Sequence, residues 1–368
     1  MSRPHTLVTG ATGFVGAAVV LELLARTDDE ILCLVRARPG IDSSVRLRQH
    51  LATTAAHHDL DPSIFDEIAG RVHALEGDIT DVRLPELAEV AGPIGAVWHS
   101  AASLKYRDRD ADEIRLHNVE GTRNVVALAT AAGAAEFNHI STAYVAGRRS
   151  GVIHEEPVPV GTDTNNQYER SKIDAEELVA ASPLHCRIFR PSIVIGHSET
   201  RRAQSDVGVY GFLREMQRFV EATEDPSQLP ALRIAAHHET GLNLIPVDLV
   251  ASASVEIALS GTDARYFHLT NGHHVLVRDA IPMVCEVLGL PEPTFTDSAE
   301  DLSPEDQLLN RYLDFYLPYL GGERIFDRTN TDAVVASRCD HPLDPAAQRE
   351  VVTTYLETAT VLPEPVRT

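Results

Sequence analysis

Residues Thr6-Leu-Val-Thr-Gly10-Ala-Thr-Gly13-Phe-Val-Gly16 decide the fold of this 368-residue chain. A short apolar strand runs into three glycines spaced G-x-x-G-x-x-G, and these open onto Ala17-Ala-Val-Val-Leu-Glu-Leu-Leu-Ala25, a run of strong helix formers. Glycine suits such a junction because the backbone must turn tightly and approach a pyrophosphate, with the helix N-terminus facing the anion. The stretch therefore predicts a dinucleotide held by Gly10, Thr12, Gly13, Phe14, Val15 and Gly16.

Working outward, Glu30-Ile-Leu-Cys-Leu-Val35 reads as a second strand and ends in Arg36-Ala-Arg38. An acidic residue at this strand end binds a ribose 2′-hydroxyl, whereas arginine accommodates a 2′-phosphate. Arg36 thus favours NADP(H) over NAD(H). Further strands are expected over 72–76, 96–100, 136–140, 186–190 and 266–269, with helices around 84–90, 110–132, 168–181 and 209–222. That alternation predicts an α/β fold, a doubly wound parallel sheet of the Rossmann type covered on both faces. Residues 1–195 would form the dinucleotide-binding domain, with 242–275 returning to it. Residues 196–241 and 276–368 would form a smaller, mostly C-terminal substrate-binding region.

Composition narrows the function. Lys plus Arg of 32 against Asp plus Glu of 54 gives a net charge of −22, which argues against nucleic acid or an anionic membrane as partner. No apolar run is long enough to span a bilayer, and the chain enters its first strand without a signal peptide, so a cytoplasmic location is expected. Cys33, Cys186, Cys285 and Cys339 are scattered and suit reduced core positions. Adjacent histidines at 57–58, 237–238 and 273–274 lack metal-ligand spacing and read as surface or loop residues, so no metal site is expected.

Only two lysines occur, Lys105 and Lys172, in a chain that otherwise uses arginine. Lys172 follows Tyr168 by four residues, which on a helix puts both side chains on one face. A compact ammonium there can lower the pKa of the phenol and ready it for proton transfer. Three small polar patches close the later strands: Gly77-Asp78-Ile79, His99-Ser100-Ala101-Ala102 and Ser141-Thr142-Ala143-Tyr144. Small side chains at 100–102 admit a nicotinamide ribose, and the Thr142 hydroxyl can bond a carbonyl oxygen beside Tyr168.

Gly10/Gly13/Gly16, Asp78, Asn118-Val-Glu-Gly-Thr-Arg-Asn-Val, Thr142, Tyr168-x-x-x-Lys172 and Arg190-Pro-Ser-Ile-Val-Ile-Gly196 together resemble the extended short-chain dehydrogenase/reductase family over residues 5–275. The resemblance implies that Tyr168 is the acid/base, that Lys172 activates it and holds ribose, and that Thr142 fills the Ser/Thr place. It also implies a cofactor wall of Asp78, Ile79, Ser100, Ala101, Ala102, Asn118, Pro191, Ser192 and Ile193. Leu34-Val-Arg36-Ala, Ala101-Ala-Ser-Leu-Lys105-Tyr, Ser141-Thr-Ala-Tyr-Val-Ala-Gly147, Asn243-Leu-Ile-Pro246-Val-Asp248 and Phe315-Tyr-Leu-Pro-Tyr319 are similar to the thioester reductase and fatty acyl-CoA reductase branch. This implies NADPH-dependent reduction of an acyl thioester, on CoA or an acyl-carrier protein, to an aldehyde or onward to an alcohol. Ketone reduction, nucleotide-sugar epimerisation or dehydration, and a non-catalytic dinucleotide sensor stay open alternatives, as does the oligomeric state. Lys105 is expected at the nicotinamide edge, and Arg201, Arg202, Arg214 and Arg218 are expected to receive the anionic acyl carrier.

Overall fold

The predicted strands are buried along most of their length, as central parallel strands require, except 72–76, which lies at the sheet edge with two residues exposed. The computed structural model describes residues 4–297 and 302–359. Its seven-stranded parallel sheet contains β1 (His5–Thr9), β2 (Ile31–Val35), β3 (Val72–Glu76), β4 (Ile94–His99), β5 (Glu136–Ile140), β6 (His185–Pro191) and β7 (Tyr266–Leu269). The strand order is β7-β6-β5-β4-β1-β2-β3. Chain direction across the sheet therefore reverses between β1 and β4, where Thr9 pairs with His99. That reversal opens a crevice at the carboxyl ends of the strands, the site at which such sheets bind ligands.

Helices cover both faces. On one face α1 (Phe14–Arg26) and α2 (Ser43–His57) pack with a helix further along the chain, described below, around Val8, Val19, Leu47, Leu51 and Phe189. On the other, α3 (Gly121–Ala131) and α4 (Gln167–Ala180) pack around Leu7, Val97, Val125, Leu128 and Val179. Helix α2 was not anticipated, because only Leu47, Leu51 and Ala55 mark its apolar side; Asp42 starts it by accepting the Val45 N–H at 2.8 Å. The continuous helix expected over 110–132 is instead broken by one π-turn, Leu116–Glu120. The extra residue in that turn carries Asn118 inward, where it is 2% exposed and fully bonded.

After Ile195 a second core forms from α5 (Val209–Glu221), α7 (Val277–Val287), α8 (Pro304–Tyr312) and α9 (Pro345–Ala359). Between α5 and α7, α6 (Val247–Leu259) returns to the sheet and packs on α1. Residues Thr329–Val335 also come back to lie against α6 and β7. Among the described residues no helix is long and apolar enough to cross a membrane.

Candidate active site

The glycine loop is shaped by backbone contacts that leave no room for side chains. Gly10 has φ +77°, and a Cβ there would sit 2.7 Å from the Ala101 nitrogen. A Cβ on Gly16 would sit 2.2 Å from the Gly10 carbonyl oxygen. The loop after β1 thus lies directly against the loop after β4 and against the first turn of α1. Gly13 caps α1 without a side-chain bond, which leaves the first N–H groups of the helix available to an anion. These features, and the arginines described next, fit a dinucleotide phosphate.

A continuous cavity of about 710 Å³ runs from this loop across the ends of β4, β5 and β6 into the second core. Its wall includes Gly10, Thr12, Gly13, Phe14 and Val15, then Ile79, Ser100, Ala101 and Ala102, then Thr142, Tyr168 and Lys172, and lastly Pro191, Ser192 and Ile193. Arg36 lines it with Arg38 and Arg46. Arg46, from α2, was missed in the sequence because it lies eleven residues past the strand end at Val35; its guanidinium donates to the Arg36 carbonyl. The three cations crowd one another, and burial with their repulsion holds the pKa of Arg46 below its usual value.

Four expected residues lie outside this wall. Gly16 is buried beneath the loop. Asp78 turns its carboxylate onto the Thr80 N–H and hydroxyl, both at 2.9 Å. Asn118 sits behind the β4 loop, accepting the Ser103 N–H at 2.7 Å and donating to the Ser171 hydroxyl at 2.9 Å, so it braces the wall from behind. Lys105 points outward and pairs with Glu113 at 2.6 Å.

Tyr168 and Lys172 occupy adjacent turns of α4, as their spacing requires. Lys172 is 3% exposed and donates a 2.7 Å hydrogen bond to the Ile140 carbonyl. Burial lowers its pKa to about 8, and the neighbouring Glu176 carboxylate works in the opposite direction. Tyr168 departs from expectation. Its pKa is raised, chiefly by burial and further by the Glu169 carboxylate. The phenol is therefore held protonated, and it makes no hydrogen bond among the described residues. Thr142 is 7% exposed and accepts the Tyr144 N–H at 3.2 Å, which leaves its own hydroxyl proton to donate.

The far end of the cavity is apolar, with Phe212, Leu244, Ile281, Met283, Val284 and Val351 in its wall. Aromatic side chains from the C-terminal segment, Phe315, Tyr316 and Tyr319, line the same cavity as Tyr168. Phe315 packs on Tyr106 with ring centroids 3.8 Å apart, and Tyr319 meets Tyr144 edge-on. The Tyr319 hydroxyl donates to the fully buried Glu169 at 2.6 Å. Of the arginines expected to receive an acyl carrier, Arg201 pairs with Glu350, Arg214 with Asp206 and Arg218 with Glu215. Arg202 is exposed. His58, expected as a surface or loop residue, stands in the turn after α2 and is buried against His197.

Known proteins share both sequence and shape. Isonitrile lipopeptide synthase of Streptomyces coeruleorubidus is 32% identical over 206 residues, which is 53% of this chain and 13% of that protein. The terminal R domain of the myxalamid PKS-NRPS biosynthetic pathway superposes with TM-score 0.74 at 25% identity, covering 98% of this chain and 92% of that one. A thiolation-reductase di-domain from an archaeal non-ribosomal peptide synthetase gives TM-score 0.77 at 22% identity, covering 98% and 76%. The chain spans 5% to 25% of the length of the first curated relatives it matches. Its residues 8–254, from β1 through α6, match the male sterility protein family. With a reversed parallel sheet, a glycine loop and a tyrosine–lysine helix along one crevice, this chain belongs to that family of extended short-chain dehydrogenase/reductases, which are NAD(P)H-dependent oxidoreductases.

Proposed function

We propose that the protein reduces an acyl thioester with NADPH, releasing an aldehyde and a free thiol. The observation that carries this reading is one cavity joining three features: the glycine loop, the Thr142/Tyr168/Lys172 set and an apolar chamber. An apolar chamber suits an acyl chain better than a sugar diphosphate, which needs many polar partners. The similarity to the terminal R domain of the myxalamid PKS-NRPS pathway supports the same class of substrate.

When bound, NADPH supplies the hydride that reaches the thioester carbonyl carbon. Everything else falls to the chain. Gly10 and Gly13 would let the backbone approach the pyrophosphate, and Arg36, with Arg38 and Arg46, would hold the 2′-phosphate. Ala101 and Ala102 would leave space for the ribose, and Pro191 to Ile193 would line the nicotinamide side. Thr142 donates a hydrogen bond to the carbonyl oxygen, and Tyr168, kept protonated, transfers its proton there as negative charge builds. Lys172 would hold the ribose and stabilise the phenolate that this transfer leaves. Collapse of the hemithioacetal expels the thiol. A second reduction of the aldehyde to an alcohol would use the same groups.

The acyl group would arrive on CoA or on a carrier protein. The test is to incubate the purified protein with NADPH or NADH and, separately, octanoyl-CoA, an octanoyl carrier protein, a ketosteroid and a UDP-sugar. Cofactor oxidation with octanal or octanol as product supports the reading. Turnover confined to the ketone or the sugar nucleotide overturns it.

A further inference from the structure

Directly behind the Thr142/Tyr168/Lys172 set lies a buried ion pair for which the proposed chemistry has no use. Glu176 is 3% exposed and Arg190 is 1% exposed. Arg190 grips the carboxylate with two prongs, Nε to Oε1 at 3.0 Å and Nη2 to Oε2 at 2.7 Å. Oε1 also accepts the Ser141 hydroxyl at 2.5 Å. Each partner adjoins a different part of the site. Glu176 stands one turn after Lys172 on α4. Ser141 lies between Ile140, which receives the Lys172 ammonium, and Thr142. Arg190 immediately precedes Pro191, Ser192 and Ile193 in the cavity wall.

Stability alone does not account for this arrangement. Removing two charges from water costs about as much as their attraction returns, and well-packed apolar residues of similar volume do as well or better. What a bidentate pair adds is geometry, because a planar fork on a carboxylate fixes both distance and orientation. We propose that Glu176 and Arg190 form a clamp that positions Lys172 and Thr142 relative to one another, and that the Glu176 carboxylate supports the Lys172 ammonium.

The groups around Lys172 leave Glu176 as its nearest compensating charge. His99 on β4 and His139 on β5 face the lysine, and burial keeps both uncharged. Arg190 on β6 has its charge engaged by Glu176 itself. Tyr168 on the same helix is neutral, and Glu169 is taken up by Tyr319 and Asn165. The ammonium therefore depends on the Ile140 carbonyl and on the Glu176 carboxylate one turn away.

This inference rests on the role given to Lys172 above, and the test separates the two. NADPH binding to the full chain is followed by cofactor fluorescence from about pH 6 to pH 10, so that no substrate is needed. Wild-type affinity falls on the alkaline side as Lys172 loses its proton near pH 8. Lys172→Ala loses that dependence. Glu176→Gln keeps the shape but not the charge, and its fall in affinity begins about half a pH unit or more lower. Ser141→Ala leaves the ion pair buried and so folds whatever becomes of the Glu176 variant. It keeps the wild-type alkaline midpoint, while kcat for the thioester drops about tenfold at unchanged KM for NADPH. A Lys172→Ala profile like that of the wild type would overturn the role of the lysine itself. With Lys172→Ala flat, a wild-type midpoint in Glu176→Gln, or a wild-type kcat in Ser141→Ala, overturns the clamp.

Discussion

Lys172 on α4 donates its hydrogen bond to the carbonyl of Ile140, the last residue of β5 and two places before Thr142. One 2.7 Å contact therefore sets the height of the helix against the strand end. It also fixes where the Tyr168 phenol stands relative to the Thr142 hydroxyl, since Tyr168 is one turn from the anchored lysine. With the amine so fastened, the phenol keeps its proton through burial and through Glu169. A protonated tyrosine suits the reductive direction, in which the carbonyl oxygen needs an acid.

The arginine cluster at the end of β2 makes a prediction about cofactor choice. Arg36→Asp should weaken NADPH binding about tenfold to a hundredfold while leaving NADH almost unchanged, because a charge-assisted bond to phosphate is replaced by repulsion. Arg46→Ala should act in the same sense and less strongly, since Arg46 supports the Arg36 backbone. Dissociation constants for both cofactors measured on the three proteins check this. Equal losses for NADH and NADPH would remove the cluster from the 2′-phosphate.

Gly16→Ala should damage stability and cofactor binding together. The added Cβ would lie 2.2 Å from the Gly10 carbonyl oxygen, a backbone atom that cannot swing aside. Overpacking of this kind costs about 1–3 kcal/mol, and relief by moving the loop would spoil the phosphate cradle. Denaturant titration and NADPH binding on the same variant report the two effects. Wild-type values in both would show that the loop tolerates a side chain.

Acid should destabilise the protein below about pH 6.5, ahead of general carboxylate protonation. Burial lowers the pKa of His99 and of His268 to about 3, and that of His139 well below its usual value. In each case the folded state refuses a proton that the unfolded chain accepts. The stability is therefore present above the unfolded pKa and is lost as pH falls toward the folded one. Each histidine contributes a slope of up to about 1.4 kcal/mol per pH unit in that window. Urea titrations from pH 7 down to pH 5 check this, with His139→Gln expected to show a shallower slope than the wild type.

How much of this was legible in the sequence follows from how local each feature is. The glycine loop and the Tyr168/Lys172 pair lie within single strand–helix or helix segments, so spacing alone exposed them. Arg46, the Glu176–Arg190 pair and the Tyr319–Glu169 bond join residues from different elements, up to 150 positions apart, and no local pattern marks them. The partners of Lys105 and of the arginines expected to receive a carrier were hidden for a related reason. Residue type reveals a charge but not its partner, and in this strongly acidic chain a carboxylate stands within reach of Lys105, Arg201, Arg214 and Arg218. Helix α2 was hidden by a thin apolar stripe, and the π-turn at Asn118 by an otherwise unbroken helical composition.

The most direct test pairs the wild type with Tyr168→Phe, using NADPH deuterated at the transferred position and octanoyl thioesters of CoA and of a carrier protein. Wild-type enzyme should yield octanal carrying one deuterium at C1, or octanol carrying two, with one equivalent of free thiol. Tyr168→Phe should bind NADPH within about twofold of the wild type and form the same product about 10²–10⁴-fold more slowly. Unlabelled octanoic acid as the product, or wild-type turnover by Tyr168→Phe, would contradict a thioester reduction in which Tyr168 supplies the proton.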